Sequence, residues 1–120
     1  MAKKTKNIGN FSEKLAKDFL ERRGYYTLQQ NTIIGRKEID LIMKCQNSTV
    51  FVEVKSRTSN RLGEADTALT SKQLQTLKKA ISQYCAQNRI NKNFIRLDLI
   101  AVDIDSSAHK ARIKHYKDIF

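Results

Sequence analysis

The chain has 120 residues, and its 23 lysines and arginines against 12 aspartates and glutamates give a formal net charge of +11. This length fits one domain with one moderate core and requires no second domain. The basic charge favours a polyanionic partner, for which nucleic acid is the first choice and an anionic membrane surface the second. No long uncharged apolar run occurs in the sequence, which excludes a membrane-spanning helix. We therefore expect a cytoplasmic protein whose partner is nucleic acid and not a membrane.

The chain begins with a basic segment and a helical pattern. Residues 1–9 are predicted to form a flexible N-terminal arm, which leaves residues 10–120 as the single domain. Asn10 and Glu13 fit a capping box, and the helical spacing of the apolar residues behind them predicts a first helix that ends near Gly24. A short strand over residues 25–31 is predicted next, ahead of a central hairpin.

The central hairpin spans residues 35–57, with the sequence GRKEIDLIMKCQNSTVFVEVKSR. Two apolar-rich runs surround a polar stretch, which is the composition of two antiparallel strands and their turn. One register of the strands places Asp40 opposite Glu53, and the alternative register places it opposite Lys55. Since directly opposed residues share a face of the sheet, either register puts Asp40 on the face that carries Glu53 and Lys55.

Two carboxylates that converge in a hairpin are costly, because like charges opposed across strands repel and burial raises the cost. A chain that keeps such a pair is predicted to use it to hold a cation. Magnesium is the natural candidate, since it prefers oxygen ligands and needs only one or two protein carboxylates besides water and substrate phosphate. The alternative is a solvent-facing charge ladder in which Lys55 and Lys44 neutralise the acids. Phe51 and Ile42 on the same face argue against that alternative.

The second half of the chain supplies a loop, a helix and two strands. Residues 56–66 lack a periodic pattern and are predicted to form a mobile loop that contacts substrate. A capping box that begins at Thr70 predicts a helix running to about Asn88. Residues 94–104 are predicted to form a buried strand and residues 112–116 a basic edge strand. The element order α-β-β-β-α-β-β predicts an α/β domain in which helices pack on one sheet.

These residues carry a family likeness. The hairpin contains an aspartate, then twelve intervening residues, and then Glu-X-Lys. It follows a helix with an inward acid, and this arrangement resembles the PD-(D/E)XK nuclease superfamily. The spacing is similar to that of archaeal Holliday junction resolvases. Nearly the whole chain resembles the YraN family of uncharacterised, endonuclease-like bacterial proteins. The residues that carry this closer resemblance are GRKEIDLI, VFVEVKSR and RLDLIAV, with Gly63, Lys72, Ala80 and Tyr84.

The resemblance implies a restriction-endonuclease-like three-layer core with a mixed central sheet, and a metal-dependent DNA endonuclease that acts on branched or structured DNA. Asp40, Glu53 and the backbone carbonyl of Val54 would bind Mg²⁺ or Mn²⁺, and catalysis would also use Lys55, which would orient the attacking water or neutralise charge in the transition state. Glu13 fits a catalytic role and a capping role equally. The predicted phosphate contacts are Arg57, Lys72, Arg36 and Lys37.

Two other functions remain open. The first is a nucleic-acid-binding module that keeps the fold and the basic charge but does not cut. The second is a nuclease directed at RNA, although the sequence lacks an aromatic stacking platform that would support it. Whether the active species is a homodimer is open as well.

Three positions depart from the family pattern. Lys37 stands where the family usually has glycine, Ser12 replaces the glycine before Glu13, and Ile39 replaces the nominal proline of the superfamily. None of these changes removes a predicted ligand.

Several other polar residues are assigned structural roles or none. Strand parity places Glu38 on the face opposite Asp40, and Asp98 is predicted to be a buried hydrogen-bond acceptor. His109 and His115 lack a partnering motif and are assigned no role. The chain's two cysteines, Cys45 and Cys85, are predicted to be buried thiols in a reducing compartment, with a single disulfide left open.

Overall fold

The computed structural model describes residues 2–58, 69–105 and 107–120. Two helices and five strands make up the fold, with a short 3₁₀ turn before the fourth strand. The observed order is the predicted α-β-β-β-α-β-β, which confirms the α/β fold class. The elements are α1 (Ala2–Glu21), β1 (Tyr26–Ile34), β2 (Lys37–Cys45), β3 (Ser48–Thr58), α2 (Ser71–Asn88), β4 (Ile95–Asp105) and β5 (Lys110–Tyr116).

The five strands form one mixed sheet in the order β1-β2-β3-β4-β5. The β3–β4 pair is parallel, because α2 lies between these two strands in the chain, and the other pairs are antiparallel. The β1–β2 turn contains Gly35 with φ of 63°, a conformation that favours glycine. Cys45 pairs with Ser48, so the β2–β3 register is the one that continues to Asp40 opposite Glu53.

The sheet carries a separate apolar core on each face. α1 covers one face and α2 the other. Cys45 packs against the core on the α1 side and Cys85 lies in the core on the α2 side. Because the sheet separates them, both thiols are free, and the disulfide left open by the sequence does not form. Within the described ranges, neither helix is long and apolar enough to cross a membrane.

The start of α1 differs from the prediction. The helix begins at Ala2, so residues 2–9 are part of it, and Asn10 is not its N-cap. Lysine, a good helix former, occupies three of these eight positions, and no proline interrupts the segment. The capping-box pattern of Asn10 and Glu13 therefore lies inside the helix, and the Glu13 side chain has another partner.

The other element ends agree more closely with the sequence. α2 begins behind Thr70, which forms the predicted capping box with Gln73. The strand predicted over residues 25–31 is longer, because the β1–β2 pairing continues to Ile34. β3 extends through Thr58, and residues 59–66 of the predicted loop lie outside the described residues.

Candidate metal centre and basic groove

The candidate site lies where the β2–β3 pairing ends. The last paired residues are Leu41 and Val52, whereas β3 stays paired with β4 through Thr58. The next residue of β2 is Asp40, whose Oδ2 accepts a 2.8 Å hydrogen bond from the backbone N–H of Val54. The Asp40 carboxylate thus accepts the hydrogen bond that a backbone carbonyl of β2 would otherwise accept from Val54, and this bond holds the Asp40 side chain against β3.

The alternation of side chains along β2 changes at Asp40. Ile39 and Ile42 both belong to the core on the α2 side, although they are three residues apart. Leu41 belongs to the core on the α1 side. Regular alternation would put Ile39 and Ile42 on opposite faces. Asn31, opposite Asp40 in the β1–β2 register, has φ of 49°. The parity argument therefore fails at Asp40, which lies at the irregularity and not squarely on one face.

Glu53 is the buried acid of the site, with 9% of its surface exposed. Its Oε2 forms a 3.3 Å salt bridge with Nζ of Lys37. Its Oε1 is buried and has no hydrogen-bond partner among the described residues. Leaving a buried carboxylate oxygen without a donor is costly, so this oxygen is the one available to a cation. The solvent-facing charge ladder considered for this hairpin is therefore wrong.

Asp40 and Glu53 interact electrostatically. Burial first, and then the negative charge of Glu53, raise the pKa of Asp40 from 3.8 to about 8. The charge of Glu13 adds to this rise, while the hydrogen bond from Val54 and the charge of Lys37 oppose it. A cation beside the two acids would favour their ionised forms. The pair is therefore electrostatically unsatisfied when only protein groups surround it.

The raised pKa of Asp40 predicts a pH-dependent stability. The folded protein keeps the Asp40 proton at pH values where the unfolded chain has lost it, so stability should fall as the pH rises from about 4 to about 8. Asp40→Asn, which does not ionise, should flatten this dependence. Urea unfolding of both proteins across that pH range, without divalent cations, measures the free energies. Identical pH profiles would contradict the prediction.

Glu13 and Lys55 approach the acidic pair from α1 and β3. Oε1 of Glu13 accepts a 2.8 Å hydrogen bond from Nδ2 of Asn31, the residue opposite Asp40. This contact decides against the capping role for Glu13 and brings its charge close enough to affect Asp40. Lys55 is half-buried and lines the same pocket as Glu53.

A basic groove leads from Glu53 between α2 and the β1–β2 turn. It consists of two adjoining pockets of about 320 and 340 Å³, which share Lys37 and Thr76. A third pocket of about 430 Å³, whose described lining residues all lie on α2, adjoins them and also includes Thr76. Glu53 lies in the first of them, beside the start of α2. The basic residues that line the groove are Lys37, Lys55, Lys72, Lys78, Lys79 and Arg36. Positive charge thus extends along one surface from the pocket that contains Glu53.

Three of the four predicted phosphate contacts, Arg36, Lys37 and Lys72, line the basic groove. Arg57 is half-buried and lies opposite Asp103 in the β3–β4 register, and it does not line the described pockets of the groove. The sequence interpretation missed Lys79. Its spacing from Lys72 places both on one side of α2, away from the apolar stripe, so helical periodicity was the signal that could have identified it.

Glu38 and Asp98 lie outside the acidic pair. Glu38 is exposed on β2. Asp98 is fully buried and accepts hydrogen bonds from Arg96 Nη2 at 2.7 Å and from the backbone N–H of Asp118 at 3.0 Å. Nε2 of His115 lies 2.8 Å from the same carboxylate. Asp98 is therefore the buried acceptor that the sequence predicted, and His115, which was assigned no role, is one of its partners.

The acidic pair has the ligands that a hard divalent cation requires. Among the described residues, no three aspartate, glutamate, histidine or cysteine side chains come together as a metal cluster. The described side chains therefore do not form a metal site with three or more such ligands. Mg²⁺ differs from most metals in keeping several waters and needing only one or two carboxylates. Asp40 and Glu53 supply that number, and the unpartnered Oε1 of Glu53 is an oxygen in need of a positive partner.

Comparison with known proteins gives one family. Residues 12–102 match the family described as "Uncharacterised protein family UPF0102". A UPF0102 protein of Flavobacterium psychrophilum is 35% identical over 114 residues, which cover 95% of this chain and 93% of the relative. A UPF0102 protein of Clostridium beijerinckii is 34% identical over 120 residues, covering 100% of this chain and 98% of the relative. One of Shewanella frigidimarina is 41% identical over 99 residues, covering 82% and 91%.

Among solved structures, the chain is similar to Pyrococcus furiosus SfsA, whose structure was determined in complex with Ca²⁺, with a TM-score of 0.41 and 16% sequence identity. The similarity covers 93% of this chain, which spans 63% of the length of the SfsA chain. The family is shown by the sequences instead, through a match over most of the chain and relatives that align over nearly their whole length. The likeness seen in the hairpin and in β4 is thereby confirmed, and the chain belongs to UPF0102, the YraN family.

Proposed function

We propose that the protein is a metal-dependent nuclease that hydrolyses phosphodiester bonds in DNA, with branched or structured DNA as its substrate. The observation that carries the proposal is the pair formed by half-buried Asp40 and buried Glu53. Glu53 has one carboxylate oxygen without a partner among the described residues, and it lines one end of a basic groove. A cation would balance the acids, and the phosphates of a nucleic acid would balance the lysines. A complex with both a metal ion and a nucleic acid would balance the acids and the lysines together.

The residues of the site have separable roles in this reaction. Mg²⁺ or Mn²⁺ bound by Asp40, Glu53 and the Val54 carbonyl would polarise the scissile phosphate and lower the pKa of an attacking water. Asp40 is oriented by the Val54 N–H, which reduces the reorganisation that ligand binding requires. Lys55, which lines the same pocket as Glu53, would orient the water or offset charge that develops on the phosphate. Glu13 adds negative charge that favours a cation.

The basic groove would carry the phosphate backbone next to the scissile bond. Lys72 and Lys79 project from one wall, formed by α2, and Arg36 lies on the other wall, formed by the β1–β2 turn. Cations on two facing walls suit one nucleic-acid strand between them, because each wall can contact its phosphates. The groove ends at the pocket of Glu53 and Lys55, so a strand that follows it is delivered to the acidic pair.

Cleavage of a panel of DNA substrates tests the proposal. Single-stranded, duplex, flap and four-way junction DNA are incubated with the protein and Mg²⁺ or Mn²⁺, and with EDTA as the control. We expect cleavage that requires the metal and that is strongest on a branched substrate. An absence of metal-dependent cleavage on every member of the panel would refute the nuclease.

Removing two groove cations should weaken DNA binding in a salt-dependent way. Arg36→Ala with Lys79→Ala should lower the slope of log affinity against log salt by about 2, since each phosphate contact contributes roughly one. Lys114→Ala with Lys117→Ala is the matched control, because both residues are exposed and lie at the β5 edge of the sheet or just beyond it. Fluorescence anisotropy at several salt concentrations measures the slopes. Equal losses in the two double variants would mean that DNA does not use the groove.

A specific contact also favours a second function, the non-cutting nucleic-acid-binding module. Lys37 forms a salt bridge with Glu53, which would let the protein neutralise this acid without a metal. Calorimetric titration with Mn²⁺ in the presence and absence of DNA separates the two functions. DNA binding with no uptake of Mn²⁺ in either condition would establish the module.

A further inference from the structure

Lys37 belongs to both parts of the candidate site. Its Nζ lies 3.3 Å from Oε2 of Glu53, and its side chain also lines the groove beside Arg36 and Lys79. The Lys37 side chain is 28% exposed, whereas that of Glu53 is 11% exposed. The lysine is thus the more accessible partner of the pair, and its ammonium group lies between a buried acid and the path proposed for phosphates.

The contact with Lys37 balances only part of the site. It engages Oε2 of Glu53 and leaves Oε1 buried, without a hydrogen-bond partner in the part of the chain that the structure describes. A lysine is a flexible point charge with no fixed fork of donors, so it can exchange one oxygen anion for another at little geometric cost.

From these contacts we propose that Lys37 is a displaceable counter-ion, which competes with the metal for Glu53 in the free protein and transfers to a substrate phosphate when nucleic acid enters the groove. The proposal rests on the proposed nuclease function and deepens it. Metal and nucleic acid then bind cooperatively, because the nucleic acid removes the competitor of the metal. Linkage requires the converse too, so bound metal must raise the affinity for nucleic acid by the same factor.

The competition has a consequence in the absence of substrate. Lys37→Met removes the ammonium but keeps an unbranched apolar stem of similar length, so it should raise the affinity of the free protein for Mn²⁺ by about tenfold, within the usual range of coupling between linked sites. It should also reduce the additional affinity for Mn²⁺ that DNA confers. Lys79→Met is the matched control, because it removes the same charge from the same groove without touching Glu53.

Calorimetric titration of Mn²⁺ into the wild type and both variants, with and without a phosphorothioate oligonucleotide that resists cleavage, measures these affinities. Thermal unfolding provides a second readout. Without metal, Lys37→Met should melt at a lower temperature than the wild type, because Glu53 loses its only charged partner among the described contacts. Saturating Mn²⁺ should raise the melting temperature of the variant more than that of the wild type.

The outcomes distinguish the two proposals. Equal Mn²⁺ affinities in the wild type and Lys37→Met, or a weaker affinity in Lys37→Met, would overturn the role of Lys37 and leave the nuclease standing. An equal gain in Lys79→Met would overturn it as well, since the effect would then be general electrostatics. If no protein takes up Mn²⁺ with or without the oligonucleotide, the metal site itself fails.

Discussion

Glu53→Gln and Asp40→Asn should each abolish metal-dependent cleavage. Each change keeps the size of the side chain and removes one of the two carboxylates that would hold the cation beside the scissile phosphate. We expect kcat/KM to fall by about a hundredfold to a thousandfold. Removing one preorganised group that stabilises charge in the transition state has an effect of this size. The double variant should be hardly worse than either single one, since groups that act as a unit do not add.

Intact folding must accompany this loss. Asp40→Asn is expected to be no less stable than the wild type near neutral pH, because it removes a carboxyl whose ionisation is opposed by burial and by Glu53. Glu38→Gln is the matched control, since it removes the same charge from an exposed position on β2. Cleavage rates are measured together with circular dichroism and thermal unfolding. Cleavage that survives in both site variants would remove this acidic pair from the mechanism.

Much of the fold follows from patterns that are local in the sequence. The capping box at Thr70 and the apolar stripe behind it determine where α2 begins and which side it buries. The polar stretch at Gln46 and Asn47 is the actual two-residue turn, and it sets the β2–β3 register. The start of α1 was missed because a strong capping pattern at Asn10 competed with the weaker helix propensity of the residues before it.

The candidate site was predictable in composition but not in its exact arrangement. Spacing and register bring Asp40 and Glu53 together, as the hairpin pattern indicated. The change of alternation at Asp40 was not visible, since a period-two argument assumes a regular strand. Nor could the sequence indicate that Lys37, and not Lys55, pairs with Glu53. Which lysine pairs with Glu53 depends on the positions of Lys37, Glu53 and Lys55 in the folded sheet.

Asp98→Ala should strongly destabilise the fold. Asp98 is fully buried and joins four parts of the fold: Tyr25 just before β1, Arg96 on β4, His115 on β5 and the backbone of Asp118 after β5. Burial raises the pKa of Asp98, but hydrogen bonds from His115 and Arg96 outweigh it and lower the pKa to about 2. The carboxylate is therefore ionised and well satisfied in the folded protein.

Removing that carboxylate would leave the Arg96 guanidinium and the Tyr25 hydroxyl without their shared acceptor. We expect the free energy of unfolding to fall by about 3–5 kcal/mol, as when one partner of a buried ion pair is deleted. Urea unfolding near neutral pH measures this loss, and Glu38→Ala, at an exposed position, should change it by less than about 0.5 kcal/mol. If Asp98→Ala also changed the free energy of unfolding by less than about 0.5 kcal/mol, the former partners of Asp98 would have to bind water or other acceptors.

The lowered pKa of Asp98 also predicts how the stability that this hydrogen-bond network provides depends on pH. Its stabilisation should be complete above about pH 4, where an aspartate is ionised in the unfolded chain, and should disappear as the pH falls towards about 2. Asp98 and Asp40 thus act in opposite directions, since acid removes the benefit of the first and relieves the cost of the second. In Asp98→Asn the loss of stability below about pH 4 should be smaller than in the wild type. The two carboxylates lie on the same sheet, yet only Asp98 has protein donors enough to remain charged, and this difference is why we assign structure to Asp98 and cation binding to Asp40.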